Sequence, residues 1–493
     1  MSHSCDGVIA AILSTSLLAG CATTTPPQST VTIPNHLTDS GAVRSDAPPS
    51  TWWHLYREPA LDALVEEALA NNRDLRAASA NLLQAGSILS EARGELWPTT
   101  RLSTGAGDGS TIQDQIAAAS RGTDDIRTGQ RFDIGTNMSW ELDLFGRLRS
   151  TVKSAKADAQ ASAALEDGVR VAVAAGVTGA WLDACGYAHR ADVARRSLEL
   201  ARHGRDLAER LLAAGSGLPV DVLRADALVG QASAAIPMLD AKRHDALAEL
   251  AVLTGRPPTE IPAAAAACRR LPFITTPLPI GDGLTLLRRR PDVRAAEQKL
   301  AADTARIGIA VAGLYPRISL DGGAAISSPT VGGIASRNNL VWRVGPLLSW
   351  SFPNISAARA RIRYARAGEA VGLANFDATI LRALKEVNQT AEDYGAALRR
   401  QNDLRAAADH SARADRLMRI QRSAGAASAL EALDAERADI DAQAALAAAD
   451  SDVATTQVAL FKALGGGWEN APAVALPSPQ RTASTAPVTA SSK

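Results

Sequence analysis

This chain has few aromatic residues, few histidines and cysteines, and no net charge, and these shortages argue against several classes of protein. Aromatic residues account for only 4% of the sequence, while alanine is abundant, a composition that suits long helices better than an all-β fold. Basic and acidic residues number 52 each, so the basic excess typical of nucleic-acid-binding proteins is missing. The sequence contains no HExxH pair, no P-loop and no Gly-x-Ser-x-Gly elbow. We therefore expect no catalytic residues, no metal site, no cofactor and no nucleic-acid partner.

The N-terminus lacks an apolar run long enough to span a bilayer. Val8–Ala19 is a mostly apolar stretch whose length suits the core of a signal peptide. It ends at Leu18-Ala19-Gly20-Cys21, which resembles the lipobox of bacterial lipoproteins, and the resemblance implies a diacylglycerol linked to Cys21. We predict a signal peptide over 1–20 and a lipidated tether over 21–50. A buried free cysteine in an N-terminal helix is the alternative.

Two cysteines remain for other roles, because Cys5 lies in the predicted signal peptide and Cys21 is assigned to the lipid. Cys185 falls on a helical stretch and Cys268 falls in a linker. Their spacing fits no metal site, and a disulfide between them stays open with little support from the sequence.

Two parts of the chain match each other. Asp74–Gly105 aligns without a gap to Asp292–Gly323 at a separation of 218 residues, and from Gly135 the match resumes at a separation of 210. The copies are far longer than a solenoid unit, so we interpret them as one duplicated module. We predict repeat 1 over 51–260, an inter-repeat linker over 261–290, repeat 2 over 291–468 and a disordered tail over 469–493.

In each copy the hydrophobic period switches from that of a helix to that of a strand. The helical stretch Leu61–Leu96 ends at Trp97-Pro98, since proline cannot continue a helix. From Phe132 onward apolar and polar residues alternate over a length well beyond the roughly five or six residues usual in globular strands. The predicted strands cover 99–106, 131–145, 317–326 and 340–352.

Alternation over such a length suits a membrane-spanning β-strand, which needs roughly ten residues. A soluble sandwich with one wet face is the alternative. Four strands cannot close a barrel, and an open sheet edge cannot face lipid, so a membrane location requires several chains to pool their strands. Three chains would supply twelve strands, a number within the range of known barrels, so we predict an α+β membrane protein that must form an oligomer.

A helical hairpin follows the second strand of each copy, over 147–255 and 357–465. Each outgoing helix would extend roughly 100 Å if continuous. Gly215 and Gly425 are placed as helix-terminating residues, and Pro219 is placed in the first turn of a returning helix. Ser428-Ala429-Leu430-Glu431 is typical of a capping box. Many small residues favour close packing of these helices in a coiled coil.

Several motifs have matches in a known family, and they stand in this order: Trp52-Trp53, Pro59-Ala60-Leu61, Trp140–Arg147, Leu287–Glu297, Leu433–Arg437 and Leu464–Trp468. Over about residues 50–468 the chain resembles the outer-membrane efflux protein family, the TolC-like channels, and most closely its OprM-like or NodT-type lipoprotein branch. The resemblance implies a lipid-anchored homotrimer in the bacterial outer membrane that extends into the periplasm. Its implied fold is a 12-stranded transmembrane β-barrel (four strands per chain) continuous with a long periplasmic α-helical barrel. It implies docking to a periplasmic membrane-fusion adaptor and an inner-membrane RND-type transporter, and passive conduction of drugs or other small toxic compounds.

The resemblance also places a periplasmic gate at Leu430 and Asp434. A threefold ring of carboxylates in a narrow pore would favour cations, and a solvated helix-face charge is the alternative for Asp434. Arg224 occupies the position that matches Asp434 in the first copy, so we predict a salt link between the two side chains. The predicted adaptor contacts are the exposed tip residues Gly215, Gly217, Pro219, Asp221, Gly425, Ser428 and Glu431.

Two other functions remain open at this stage. The same fold can serve as the outer-membrane exit duct of a type I protein secretion system, although the lipobox favours efflux. A lipid-anchored periplasmic coiled-coil scaffold without a pore is the alternative from another class, and conductance in a planar bilayer separates it from a channel.

Overall fold

The structure, a computed structural model, describes residues 25–34, 43, 44, 46–110, 112–274, 276–352, 354–474 and 476. The predicted signal peptide, the lipidation site Cys21 and most of the predicted tail lie outside these residues. The described chain forms two compact units. The sheet unit contains Leu83–Ala161, Ala296–Asp377 and the described residues up to Thr30, and the helical unit contains Val31–Leu82, Ser162–Ala295 and the described residues from Ala378 onward.

The sheet unit contains a four-stranded antiparallel sheet. Its strands pair in chain order, and they are β1 (Thr99–Gly109), β2 (Gly129–Leu142), β3 (Arg317–Ser328) and β4 (Leu340–Ser349). A short helix, Ile112–Ser120, lies in the β1–β2 connection, and two 3-10 turns lie between β3 and β4. The four predicted strands are therefore present, with different ends.

The register of the sheet separates an apolar face from a polar face. Ile134 pairs with Ile326, which pairs with Leu340, while Trp140 pairs with Leu320. Because side chains alternate along a strand, these residues share one face of the sheet. The opposite face carries Arg101, Asp133, Asn137, Ser139, Asp321 and Arg343. Within the described residues, the outer edges of β1 and β4 have no partner strand.

Two predicted strands end earlier than the alternation of their residues suggested. β2 ends at Leu142 rather than residue 145, because the Asp143 carboxylate instead accepts hydrogen bonds from the backbone N–H groups of Leu148 and Arg149. This contact starts the next helix. β4 ends at Ser349 rather than residue 352, because Ser349 already pairs with the first residue of β3.

The predicted helix over Leu61–Leu96 is two helices, α1 (Pro59–Asn71) and α2 (Arg73–Gly94). Asn72 leaves the helical conformation with ψ at 136°, and its side-chain oxygen accepts a hydrogen bond from the backbone N–H of Leu75 at 3.0 Å. Asn72 therefore acts as an N-cap in the middle of an otherwise helical pattern, which periodicity alone does not reveal.

Both helical hairpins are present. The long outgoing helices are α3 (Arg147–Ala213) and α6 (Ile355–Ser423), and each is continuous. The returning helices are α4 (Pro219–Leu253) and α7 (Ala429–Ala463), and α5 (Pro291–Ala312) precedes β3. By length and composition α3 is apolar enough to cross a membrane, yet 72% of its apolar window is buried within the fold.

The segment between the repeats is more ordered than a linker. It contains the short helices Ala263–Ala267 and Gly283–Arg289, and Leu278–Pro279 pairs with Val43–Arg44 as two short parallel strands. Part of the predicted tether is thus bound to this segment. Cys185 on α3 forms a disulfide with Cys268, with 5.2 Å between their Cα atoms, which decides a pairing that the sequence left open.

Candidate functional site

The tips of the two hairpins have the same backbone conformation. Gly215 and Gly425 adopt φ values of 70° and 74°, a left-handed conformation that favours glycine and terminates a helix. Gly217 is required for a different reason. A Cβ atom there would lie 2.8 Å from the backbone nitrogen of Leu212, so any side chain would displace the turn. The sequence correctly predicted the terminating glycines but not this close approach.

The returning helices differ in how they begin. At the second tip the Ser428 hydroxyl accepts a hydrogen bond from the Glu431 N–H, and the Glu431 carboxylate accepts one from the Ser428 N–H at 2.7 Å. These bonds to the charged form hold the pKa of Glu431 below its usual value. At the first tip the Asp221 carboxylate accepts from the Leu218 N–H at 3.3 Å, and Pro219 occupies the first turn. Leu218 has no hydroxyl, so only half of the capping box is formed there.

This difference predicts opposite effects of two substitutions at matched positions. Ser428→Ala removes an acceptor for a helix N–H and should destabilise the start of α7 by about 1 kcal/mol. Leu218→Ser supplies the missing acceptor at the first tip and should stabilise the start of α4. Hydrogen exchange at the amides of Glu431 and Asp221 measures both effects. Unchanged protection at Glu431 in the Ser428→Ala variant would contradict the role of the capping box.

A cavity of about 590 Å³ lies in the helical unit beside the first tip. Its walls come from α3, α4 and α7. Apolar side chains that include Leu200, Leu228 and Leu433 form part of the lining, and the predicted gate residues Leu430, Asp434 and Arg224 all border it together with Asp221. The structure therefore brings the three predicted gate residues to one cavity, although they are far apart in sequence. Leu430 is 60% exposed.

The predicted salt link between Arg224 and Asp434 is wrong within this chain. The Arg224 guanidinium instead lies 3.7 Å from the Asp221 carboxylate, one helical turn away on α4. Arg437 lies 3.9 Å from Asp441 on α7. Among the described residues no cation lies within ion-pair distance of Asp434. A pair three residues apart on one helix forms without help from tertiary structure, so Arg224 finds its nearest partner locally.

A second set of contacts closes the C-terminal ends of the two returning helices, α4 and α7. In each half of the chain, the residue just before another helix donates a hydrogen bond to the last carbonyl of the returning helix. The Asn72 amide donates a hydrogen bond to the carbonyl of Leu253, the last residue of α4. The Arg290 guanidinium donates one to the carbonyl of Ala463, the last residue of α7. These contacts satisfy carbonyl groups that a helix end leaves without a partner.

Arg290 is buried, with 8% of its surface exposed, and its guanidinium also bonds the carboxylates of Asp292 and Glu386 at 2.8 Å. Burial raises the pKa of Asp292, but the hydrogen bonds and positive charge of Arg290, together with backbone hydrogen bonds, outweigh this effect, and the pKa lies below its usual value. Arg294 stacks over Trp468 with 4.5 Å between the guanidinium carbon and the ring centroid. Arg290 and Arg294 of the Leu287–Glu297 motif therefore make structural contacts in the helical unit.

The fold and these contacts define a class of protein. The profile of the outer membrane efflux protein family matches residues 64–256 and 285–466, which is most of the chain. The chain belongs to the outer membrane efflux protein family. The match falls into two segments, one in each of the halves that share the closing contacts.

Individual relatives agree with this assignment. The chain is 29% identical over 459 residues to the pyoverdine export outer membrane protein OpmQ of Pseudomonas aeruginosa, covering 92% of this chain and 95% of the relative. It is 31% identical over 425 residues to the solvent efflux pump outer membrane protein SrpC of Pseudomonas putida, covering 84% and 86%. Among solved structures, the outer-membrane channel OprN is similar with a TM-score of 0.80 and 35% identity, covering 90% of this chain and 99% of that chain.

Proposed function

We propose that the protein is the outer-membrane exit channel of a tripartite efflux pump, which passively conducts small toxic compounds delivered by an inner-membrane RND-type transporter and a periplasmic adaptor. Family membership supports the outer-membrane channel. The names of relatives, which refer to pyoverdine export and solvent efflux, support small-molecule cargo. In this proposal the pump supplies the energy, and the channel performs no catalysis.

The observation that carries the proposal is the sheet with one apolar face and two unpaired edges. Exposed apolar side chains cover β4, where Trp342 is 69% and Val344 is 63% exposed. Such a surface in water would be costly, whereas in lipid it is the expected outer face of a barrel strand. The unpaired edges of β1 and β4 require further strands, and three chains would supply twelve. We therefore propose a homotrimer, anchored in addition by lipid on Cys21.

The repeated closing contacts and the two-segment family match support the proposal that the chain is an internal duplication. In a trimer the two hairpins of each chain would give six similar tips. We propose that these tips bind the adaptor, and the full capping box at Ser428 and the half box at Asp221 would make alternate tips chemically distinct.

Planar-bilayer conductance of the purified protein tests the channel. We expect Asp434→Ala to raise single-channel conductance and reduce cation preference, because a ring of carboxylates at a constriction attracts cations and narrows the pore. Asp441→Ala serves as a matched control, since Asp441 borders the same cavity and already lies near Arg437. A trimer without conductance, in the wild type and in Asp434→Ala alike, would contradict the channel and favour a scaffold.

A further inference from the structure

Two matched stripes of basic residues lie just beyond the sheet. On α3 they are Arg149, Lys153 and Lys156, and on α6 they are Arg359, Arg363 and Arg366, each pair separated by the same 210 residues. All six side chains belong to exposed residues of the sheet unit. Within each stripe the spacing is four and then three residues, so the three side chains share one helix face.

Arg149 lies in the first turn of α3 and Arg359 directly follows the first turn of α6, near helix ends that by themselves disfavour cations. The N-terminal turn of a helix carries a partial positive charge and normally attracts acidic residues. Neither α3 nor α6 has an acidic residue in its first turn. Among the described residues, Arg359, Arg363 and Arg366 take part in none of the ion pairs or side-chain hydrogen bonds. The positive potential at this end of α6 is therefore not neutralised by the chain.

The α3 stripe lies on the side of the helix that continues the apolar face of the sheet. Arg147 bonds Glu141 through two hydrogen bonds of 2.8 Å, and Glu141 belongs to the polar face of β2. At about 100° per residue, Arg149, Lys153 and Lys156 lie roughly 200°, 240° and 180° around the helix from Arg147. Lys153 and Lys156 therefore point away from the polar face, and the Arg149 guanidinium also bonds Asp143 just beyond the end of β2.

Exposed aromatic residues lie at the same end of the sheet. Trp97 precedes β1 and is 72% exposed, and Tyr315 precedes β3 and is 43% exposed. Trp350 and Phe352 follow β4, with exposures of 53% and 65%. Aromatic side chains in this position are typical of the boundary between lipid tails and headgroups. The basic stripes begin within the next few turns of helix, at the depth where headgroup phosphates would lie.

We propose that the two stripes bind the headgroups of anionic phospholipids in the periplasmic leaflet of the outer membrane. This inference rests on the proposed function, because it requires the sheet to lie in that membrane. Lysine and arginine side chains next to a bilayer reach toward anionic headgroups, and clusters of such residues select anionic over zwitterionic lipid. The aromatic belt fixes the depth of the sheet, and the stripes then hold a shell of anionic lipid around the base of the barrel.

The full-length trimer reconstituted in nanodiscs of phosphatidylethanolamine with a minor fraction of phosphatidylglycerol tests the proposal. Native mass spectrometry measures the phosphatidylglycerol retained per trimer, relative to the bulk ratio, at low and high salt. We expect enrichment in the wild type that weakens with salt. The triple variant Arg359→Gln, Arg363→Gln and Arg366→Gln should lower it at least about fivefold, since each basic residue near an anionic surface contributes about that factor.

Two controls make the test specific. The triple variant Arg413→Gln, Arg416→Gln and Arg422→Gln removes the same charge from exposed positions of α6 in the helical unit and should leave the enrichment unchanged. The single variant Arg361→Gln removes one positive charge from the other face of the first turns of α6 and should also leave the enrichment unchanged. If a triple variant fails to assemble, Arg363→Gln is compared with Arg361→Gln, and only Arg363→Gln should lower the enrichment.

Enrichment that persists in the stripe variants, or falls equally in the controls, would overturn the proposal. A change in ion selectivity without a change in bound lipid would place the cations in the pore and would overturn it as well. Conductance is recorded on the same preparations. A protein that does not conduct would contradict the proposed function, while the amount of bound phosphatidylglycerol can still be measured and tests the lipid proposal separately.

Discussion

Val344→Arg is expected to prevent stable insertion into the outer membrane, whereas Val341→Arg should be tolerated. Both valines lie on β4 and are similarly exposed, at 63% and 71%. Val344 pairs with Gly322 on the apolar face, and Val341 pairs with Ala325 on the polar face. An arginine facing lipid near the middle of a barrel strand costs roughly 2–4 kcal/mol, and a trimer would incur this cost in each chain. An arginine facing a water-filled lumen incurs none of it.

Outer-membrane fractionation followed by urea extraction measures this difference, with trimer content read from gels run without heating. We expect the Val344→Arg chain to be lost from the urea-resistant fraction and the Val341→Arg chain to remain there. Equal tolerance of both substitutions would show that the apolar face does not contact lipid. Equal loss of both would point to a sheet whose two faces are buried against protein, as in a soluble sandwich.

Removal of the Cys185–Cys268 disulfide is expected to give the largest loss of stability. The bond closes a segment of 83 residues between α3 and the ordered linker. Chain-entropy arguments for a loop of that size give about 4–5 kcal/mol, as an upper value. Cys185 is fully buried, so Cys185→Ala also leaves a small defect in the core of the helical unit. The oxidising periplasm is a compartment where such a bond persists.

The double variant Cys185→Ala and Cys268→Ala should unfold at a distinctly lower denaturant concentration than the wild type in the same detergent. The wild type treated with a reducing agent should behave like the double variant, and the reducing agent should not affect the double variant further. Cys21 is unchanged in all samples, so the proposed lipid attachment is not a variable. Unfolding of the double variant at the wild-type midpoint would show that the linker is held by packing alone, for instance through Leu278, which is fully buried.

The strands were predictable because alternation of side chains is a local property. Phe132, Ile134 and Trp140 stand at even positions, and the register confirms that they share one face. The ends of the strands were less predictable, because they depend on caps and partners. Asp143, which alternation alone assigns to the strand, stops β2 by accepting a hydrogen bond from the N-terminus of α3.

The hairpin tips show the same division. Gly215, Gly425 and the Ser428–Glu431 capping box follow from residue types whose conformational preferences are strong. The partner of Arg224 did not follow, because matching positions in a duplicated sequence identify equivalent places and not neighbouring side chains. The closing contact made by Arg290 was also missed, since its acceptor is a backbone carbonyl that carries no sequence signal.

The sequence by itself determined the order of helices and strands, the amphipathic strands, the hairpin tips and the resemblance to a channel family, because periodicity and turn chemistry act over short distances. Only the tertiary structure decided the pairing of Cys185 with Cys268, the order of the four strands and the cavity that gathers Leu430, Asp434 and Arg224. Each of these depends on contacts between segments distant in the chain, whose geometry is set by how whole helices and strands pack.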